Sequence, residues 1–471
     1  VTRSPVIIFI ASIVVVVFSG GGKNAAESPP IEFTHPFPSK TQLQWENSKL
    51  EMFVHFGMNT FTDKEWGNGT EDPALFNPTA FNADQWAAAA KEAGFKYLIL
   101  TAKHHDGFCL WPSKFTGHTV RKSPYKNGQG DIVKEVAAAC QKEGLKFGFY
   151  LSPWDRHEST YGTDAYNAFY CNQLTELLTN YGEISEVWFD GANGEGPNGK
   201  HQVYDWPKYY STIRQYQPGA LIAIEGPDIR WVGNENGMAG ETEWSIQPPK
   251  YPLQNSAEPK TWWPSQCDVS IRPGWFYHAS EDEQIKTVDQ LVDIYFKSVG
   301  RNSNLLLNVP PNSHGLIASV DVHRLQDWHA RLAKIFANEL FTNAAIVASN
   351  TRNESYSVHN CLDHNAGTFW TTEKDTTAAD IIITMDKAAD INIIELDEVI
   401  EFGQRISSFE IYADHNGTWG KIFSGTTIGR TRLARFPAVN TQRIKIAITS
   451  SLAAPVLSSV EGYYDENNEV R

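Results

Sequence analysis

From Leu50 onward, short runs of β-branched and aromatic residues alternate with stretches whose apolar residues recur at helical spacing. The runs cover 52–56, 97–101, 147–151, 187–190, 221–225 and 305–309. Between them, 83–93, 132–143, 165–180 and 208–215 carry the period of amphipathic helices. Strands spaced by helices in this way build parallel βα units. Sustained over roughly 300 residues, they predict a (β/α)8-like barrel, regular or irregular, in preference to an open sheet. A closing helix runs through Leu325, Trp328, Leu332 and Ile335. Beyond Phe341 the helical period stops. Short strands at 381–383, 391–396, 409–412, 421–423, 443–448 and 456–463, separated by Gly, Asn and Asp, predict an all-β sandwich. The expected division is a barrel over 41–342 and a sandwich over 343–471.

The N-terminus has a different pattern. Arg3 precedes an unbroken apolar run from Val6 to Phe18, followed by Ser19 and three glycines. A basic start, a short apolar stretch and small residues describe a secretory leader, expected over 1–22. The run is too short to span a bilayer, and no cysteine follows it for lipid attachment. The mature chain is therefore expected to be exported, periplasmic or extracellular, with no membrane insertion. Residues 23–40, rich in Pro, Ser and charge, read as a linker.

Composition narrows the chemistry. With 40 basic and 55 acidic residues the chain carries a formal charge of −15, which argues against nucleic-acid or anionic-membrane partners. Fifteen tryptophans suit flat apolar surfaces for sugars or rings. The five cysteines include no CxxC pair and are odd in number, so buried thiols are expected rather than a disulfide framework or a thiolate metal site. No GxGxxG or GxxxxGK[ST] follows a strand, which removes the usual nucleotide-binding reading.

In a barrel, function collects at the strand ends and the loops after them. Here His55 ends the first run, with Glu65 and Trp66 in the loop beyond. His104 and His105 end the second, Tyr150 lies in the third with Trp154 and Asp155 following, Asp190 ends the fourth and Glu225 the fifth. Asp190 is the strongest single candidate, because a carboxylate after an apolar strand is costly unless it lies in a cleft or has a partner. A second carboxylate would complete acid/base machinery on a glycosidic bond. Spacing leaves Glu225, Glu235, Glu241 and Glu243 open, with the Trp-bearing loop after Arg230 favouring Glu235. Two other readings stand beside this one: a metal site from His55, His104, His105 and Asp190, and a glycan-binding protein without turnover.

Several stretches together resemble the glycoside hydrolase family 29 α-L-fucosidases. They are Met52–Gly57, Lys103–Phe108, Val187–Gly191 and Asn304–Asn308. Leu151–Arg156, Pro227–Glu235 and Ser270–His278 are similar to the subfamily acting on α-1,3/1,4-linked fucose in branched glycans. Leu362–Asn365 through Trp370 is similar to a discoidin-type carbohydrate-binding module, although Trp370 and Trp419 fit a core role equally well. The resemblance implies a retaining exo-α-L-fucosidase with Asp190 as nucleophile and Glu235 as general acid/base. It surrounds the fucose with His55, Trp66, His104, His105 and Tyr150, with Trp275 as a stacking wall. Glu65, Trp154, Asp155 and Arg230 complete the expected substrate-binding set. No metal or organic cofactor is required, and the partner is a fucosylated oligosaccharide or glycoconjugate. Gln266 stands where an acid is expected in relatives, which bears on the leaving-group sugar and leaves a broader or different linkage preference as the alternative.

Overall fold

A computed structural model of the chain describes residues 31–34, 36–248 and 260–468. The expected leader lies outside the described residues. Residues 33–471 cluster as one unit. After a short helix α1 (Lys40–Glu46), closed by a Ser39/Gln42 capping box, the chain enters the barrel strands. These are β1 (Leu50–Val54), β2 (Tyr97–Lys103), β3 (Lys146–Leu151), β4 (Glu186–Phe189), β5 (Leu221–Ile224) and β6 (Arg230–Trp231). A small antiparallel hairpin, β7 (Ile246–Gln247) with β8 (Thr261–Trp262), precedes β9 (Ser265–Ser270) and β10 (Ser303–Asn308). The parallel order is β5-β4-β3-β2-β1-β10-β9-β6, and a bridge between Ala223 and Ile229 nearly closes the ring.

A one-turn helix α2 (Met58–Thr62) and α3 (Ala83–Glu92) follow β1. Then α4 (Ile132–Glu143), α5 (Asp164–Asn180), α6 (Trp206–Tyr216), α7 (Val288–Lys297) and α8 (Ser319–Ile335) follow β2, β3, β4, β9 and β10. The sequence marks these ends clearly. Asp131 caps α4 by accepting from the Lys134 N–H, and Gly144 stops it in the left-handed region at φ 73. No helix follows β5. Ile224, with φ 71, turns the chain sharply so that its N–H donates to the Ile229 carbonyl. A β-branched residue held there is strained, and the strain sits beside the candidate site. Among the described residues no helix lies between β5 and β9, so the barrel is irregular there.

The C-terminal domain is all-β and antiparallel. Its strands are β11 (Ala345–Ala348), β12 (Trp370–Thr371), β13 (Ala379–Glu398), β14 (Ile406–His415), β15 (Thr418–Gly425), β16 (Arg432–Ser451) and β17 (Val456–Tyr463). They run in the order β12-β17-β13-β16-β14-β15, with β11 on β13. A register shift between Thr384 and Ala389 divides β13, so its first half pairs with β11 and its second with β17. Alternate isoleucines, among them Ile381, Ile383, Ile411 and Ile446, bury the inner face. Trp370 is fully buried and donates from Nε1 to the Asn350 carbonyl at 3.1 Å, which makes it core. Trp419 is half-buried, under the guanidinium of Arg443 and the ammonium of Lys445.

Polar side chains bind this domain to the barrel. Gln404 accepts from the Ser245 N–H at 2.8 Å and donates to the Glu243 carbonyl at 3.1 Å. Arg432 donates to the Glu241 carbonyl at 2.8 Å, and Leu433 joins the barrel's own apolar core. All five cysteines are buried and unpaired, as their spacing led us to expect. Among the described residues, no helix is long and apolar enough to cross a membrane.

Candidate active site

Alternation along the strands sorts the barrel interior into layers. At the floor, Gln266 of β9 donates from Nε2 to Glu51 Oε1 and Glu186 Oε1, at 3.1 Å each. Burial raises the proton affinity of both carboxyls, and each also meets the other. Two residues further along each strand, Phe53, Tyr150 and Trp188 fill the barrel with rings whose centroids are 5.2 to 6.0 Å apart. Gly148 makes room for this layer. A Cβ there would lie 2.5 Å from Ile99 Cδ1 and 2.7 Å from the Glu186 carbonyl. At the mouth, the same facing positions carry His55, Asp190, Ser270 and Asn308.

Asp190 is held at both oxygens. Tyr150 donates its hydroxyl to Oδ2 at 2.9 Å, and the Ala192 N–H donates to Oδ1 at 2.7 Å. His105 Nε2 lies 3.8 Å from Oδ2. The histidines around it are neutral, because burial outweighs every other influence on them. It lowers His55 to about 3 and His105 to about 4, and His104 well below its usual value. Hydrogen bonding assigns two tautomers. Ser152 Oγ donates to the Trp154 carbonyl at 2.6 Å, so it accepts from His105 Nδ1 at 2.7 Å. Asn308 Oδ1 is acceptor-only and takes His55 Nδ1 at 2.9 Å. Each ring therefore keeps an unprotonated Nε2 able to accept from a hydroxyl.

Aromatic rings form the rim. Trp66 is 60% exposed and stands edge-on to both His105 and Trp154. Trp154 is anchored from Nε1 to the Glu195 carbonyl at 3.0 Å. Trp275 lies 5.1 Å from His55, ring to ring. Glu65 positions the Trp275 loop. Its carboxylate accepts from the N–H groups of Trp275 at 2.9 Å and Phe276 at 3.1 Å, and also meets His278 Nε2 at 2.8 Å.

Of the four glutamates left open by the sequence, Glu235 meets the pocket wall: Trp275 donates from Nε1 to its Oε2 at 3.4 Å. Glu243 is ion-paired with Arg230, and Glu241 with Arg301, both at the seam with the β domain. Glu225 lies against Gly191, where a Cβ would come within 3.0 Å of its Oε1.

Three of the expected residues turn to internal partners in the structure. Asp155 does not reach the mouth. It is buried beneath the loop, pairs with Lys103 at 2.9 Å and accepts from the N–H groups of His157 and Glu158, so its charge is spent internally. Arg230 is likewise committed to Glu243 and to the Trp263 carbonyl. Gln266 lies in the floor layer, where Trp188 Nε1 donates to it at 2.9 Å, and does not face a leaving group. Several site residues were missed. Ser152, Ser270 and Asn308 orient the histidines and the Trp275 loop, and Asp268 holds the Trp231 indole beside Glu235. The alternation of inward positions on β9 would have pointed to Asp268 had that strand been recognised. Among the described residues, no group of three or more His, Cys, Asp and Glu side chains converges as a metal site would.

An eight-stranded barrel whose mouth joins carboxyls, neutral imidazoles and exposed indoles is the apparatus of a glycoside hydrolase. The Alpha-L-fucosidase family model matches residues 32–334, and the F5/8 type C domain model matches 345–461. Alpha-L-fucosidase 1 of Arabidopsis thaliana is 44% identical over 449 residues, 92% of this chain and 88% of that one. A Ruminococcus gnavus GH29 fucosidase solved in complex with fucose is 33% identical, with a TM-score of 0.86 over 93% of this chain and 97% of that one. A family 29 glycoside hydrolase from an unknown rumen bacterium is 38% identical, with a TM-score of 0.82 over 93% and 79% of the two chains. The chain belongs to the α-L-fucosidase family, glycoside hydrolase family 29.

Proposed function

We propose that the protein is an exported, retaining exo-α-L-fucosidase that releases terminal α-1,3/1,4-linked L-fucose from branched glycans by double displacement. The observation that carries this reading is the fixed carboxylate of Asp190, gripped at both oxygens at the barrel mouth, with Glu235 hydrogen-bonded to Trp275 on the pocket wall. Asp190 attacks the anomeric carbon and forms a glycosyl-enzyme as the C–O bond to the leaving sugar breaks. Glu235 gives its proton to that oxygen, then takes one from the water that cleaves the intermediate. Neutral His55 and His105 accept from fucose hydroxyls, and the indoles of Trp66 and Trp275 cover the apolar C5-methyl face.

The test is fucose release from a Lewis-type trisaccharide, an α-1,2-fucosylated disaccharide and an aryl fucoside, with the first anomer observed by NMR. Release from the Lewis-type sugar and not the disaccharide, with α-L-fucose appearing first, supports the proposal. Appearance of the β-anomer first refutes retention. Asp190→Ala is expected to abolish turnover of every substrate. Glu235→Ala should lose about 10²-fold or more on the trisaccharide and least on the aryl fucoside, whose leaving group needs little protonation. Equal losses on both substrates would move the acid role elsewhere, with Glu225 the first alternative.

A further inference from the structure

Strand β9 turns a second polar position inward above Gln266. Asp268 follows Gln266 by two residues, so it faces the interior one layer higher, in register with the apolar Leu306 of β10. Its side chain is nearly inaccessible, at 4% exposure, and among the described residues no cation pairs with it. Its Oδ1 accepts the indole N–H of Trp231 at 2.7 Å, and that ring is 40% exposed. The main chain fastens the same two segments. The Val232 N–H donates to the Gln266 carbonyl, and the Gly237 N–H to the Asp268 carbonyl, both at 3.1 Å. Glu235 lies between these two attachment points. Gly237 is pressed so closely against β9 that a Cβ would stand 2.7 Å from Val269 Cγ1, and it holds φ 71 besides.

The geometry points to Asp268 as a positioning residue: through Trp231 and the loop 231–237 it fixes where Glu235 meets the glycosidic oxygen. This rests on Glu235 being the general acid/base of the proposed function. The charges that face Asp268 are Glu235 on that loop and Asp190 at the end of β4. Arg230 of β6 spends its guanidinium on Glu243, and the floor below presents the neutral Gln266. Burial, more than these two carboxylates, pushes Asp268 up to about 7. In weak acid it is an uncharged anchor that adds no third negative charge to the site.

Two variants separate anchor from charge. Asp268→Asn keeps an oxygen for the indole N–H and lacks the titrating charge, whereas Asp268→Ala lacks both. Hydrogen–deuterium exchange over 231–237 reads the anchor without reference to turnover. The kinetic readout is kcat and KM on the trisaccharide and the aryl fucoside across the pH range. Asp268→Ala is expected to exchange faster in that loop and to lose about 10²-fold in kcat on the trisaccharide. Its loss on the aryl fucoside, where protonation matters little, should stay under about threefold. Asp268→Asn should exchange like the parent and keep its kcat on both substrates within about threefold in weak acid. Unchanged loop exchange in Asp268→Ala, or a change confined to KM, overturns the anchor. A trisaccharide loss in Asp268→Asn as large as that in Asp268→Ala also overturns it. Glu235→Gln, run alongside, tests the underlying assignment by itself: full trisaccharide turnover there removes the acid assignment, while loop exchange in Asp268→Ala still reads the anchor.

Discussion

Asn308 offers the sharpest perturbation of the site, because its amide is the junction between a histidine and an aromatic wall. Oδ1 accepts from the His55 N–H at 3.1 Å and from Nδ1 at 2.9 Å, while Nδ2 donates to Ser270 Oγ at 3.0 Å and to the Trp275 carbonyl at 2.8 Å. Asn308→Asp keeps the shape and the two accepting contacts. It loses both donors and places a carboxylate oxygen beside His55 Nδ1. Opposite charges at that separation attract by about 5–6 kcal/mol at an effective dielectric of 20. Desolvating the new carboxylate takes back part of this, leaving about 3 kcal/mol, or roughly two pH units in favour of imidazolium. His55, held near 3 by burial in the parent, would then titrate at about 5. A protonated ring offers a donor at Nε2 where the neutral ring offers an acceptor. Because His105, at about 4, already sets the parent's limb, the acidic limb of kcat/KM on the aryl fucoside should rise by about one pH unit. The orphaned Trp275 carbonyl, with Ser270 Oγ left to the Arg272 N–H, should also lower stability by about 1–3 kcal/mol, read from urea unfolding at neutral pH. An acidic limb in the parent's place, with the variant folded, would refute a neutral, accepting His55.

Two further outcomes follow from buried charge. Lys103→Met strands Asp155 without its partner and should cost about 3–5 kcal/mol in urea unfolding, with Asp155→Asn in the same chain restoring part of it; an unchanged midpoint in the single variant would contradict a buried pair. Stability should also peak in weak acid. Below about pH 6.5 the unfolded imidazoles bind protons that buried His55, His104 and His105 refuse, so stability falls with falling pH. Above about pH 4.5 native Glu51 and Glu186 retain a proton that the unfolded chain releases, so stability falls with rising pH. Glu186→Gln should flatten the alkaline slope, and a slope equal to the parent's would remove the shared proton.

Six of the eight barrel strands were legible because their runs are apolar on both faces, as parallel strands under helices must be. The two that escaped have physical reasons. β6 is two residues long, and β9 reads Ser-Gln-Cys-Asp-Val-Ser because its inward side carries the polar floor and mouth. The same blindness hid Asp268. Helix α7 escaped as well, although its Thr287/Gln290 capping box marks its start. In the β domain, one long strand looked like two because exposed Asp386 and Lys387 interrupt it at the register shift. At the site, residues that announce themselves by type, such as His55, His104, His105 and Asp190, were found from strand ends. Asn308, Ser152 and Ser270 were not, since an amide or hydroxyl becomes informative only through its partner. The ion pairs of Asp155 and Arg230 were hidden for the opposite reason: a charge near a strand end gives no hint of an internal counter-charge.

The seam between the two domains has an evolutionary consequence. Gln404 and Arg432 grip the main chain at 241–245, downstream on the same long loop that carries Glu235. A C-terminal domain fastened there is not a cartridge that can be exchanged or deleted at will. Its loss would unmoor one end of the Glu235 loop, so inheritance should keep the two halves together even in lineages whose glycan preferences diverge.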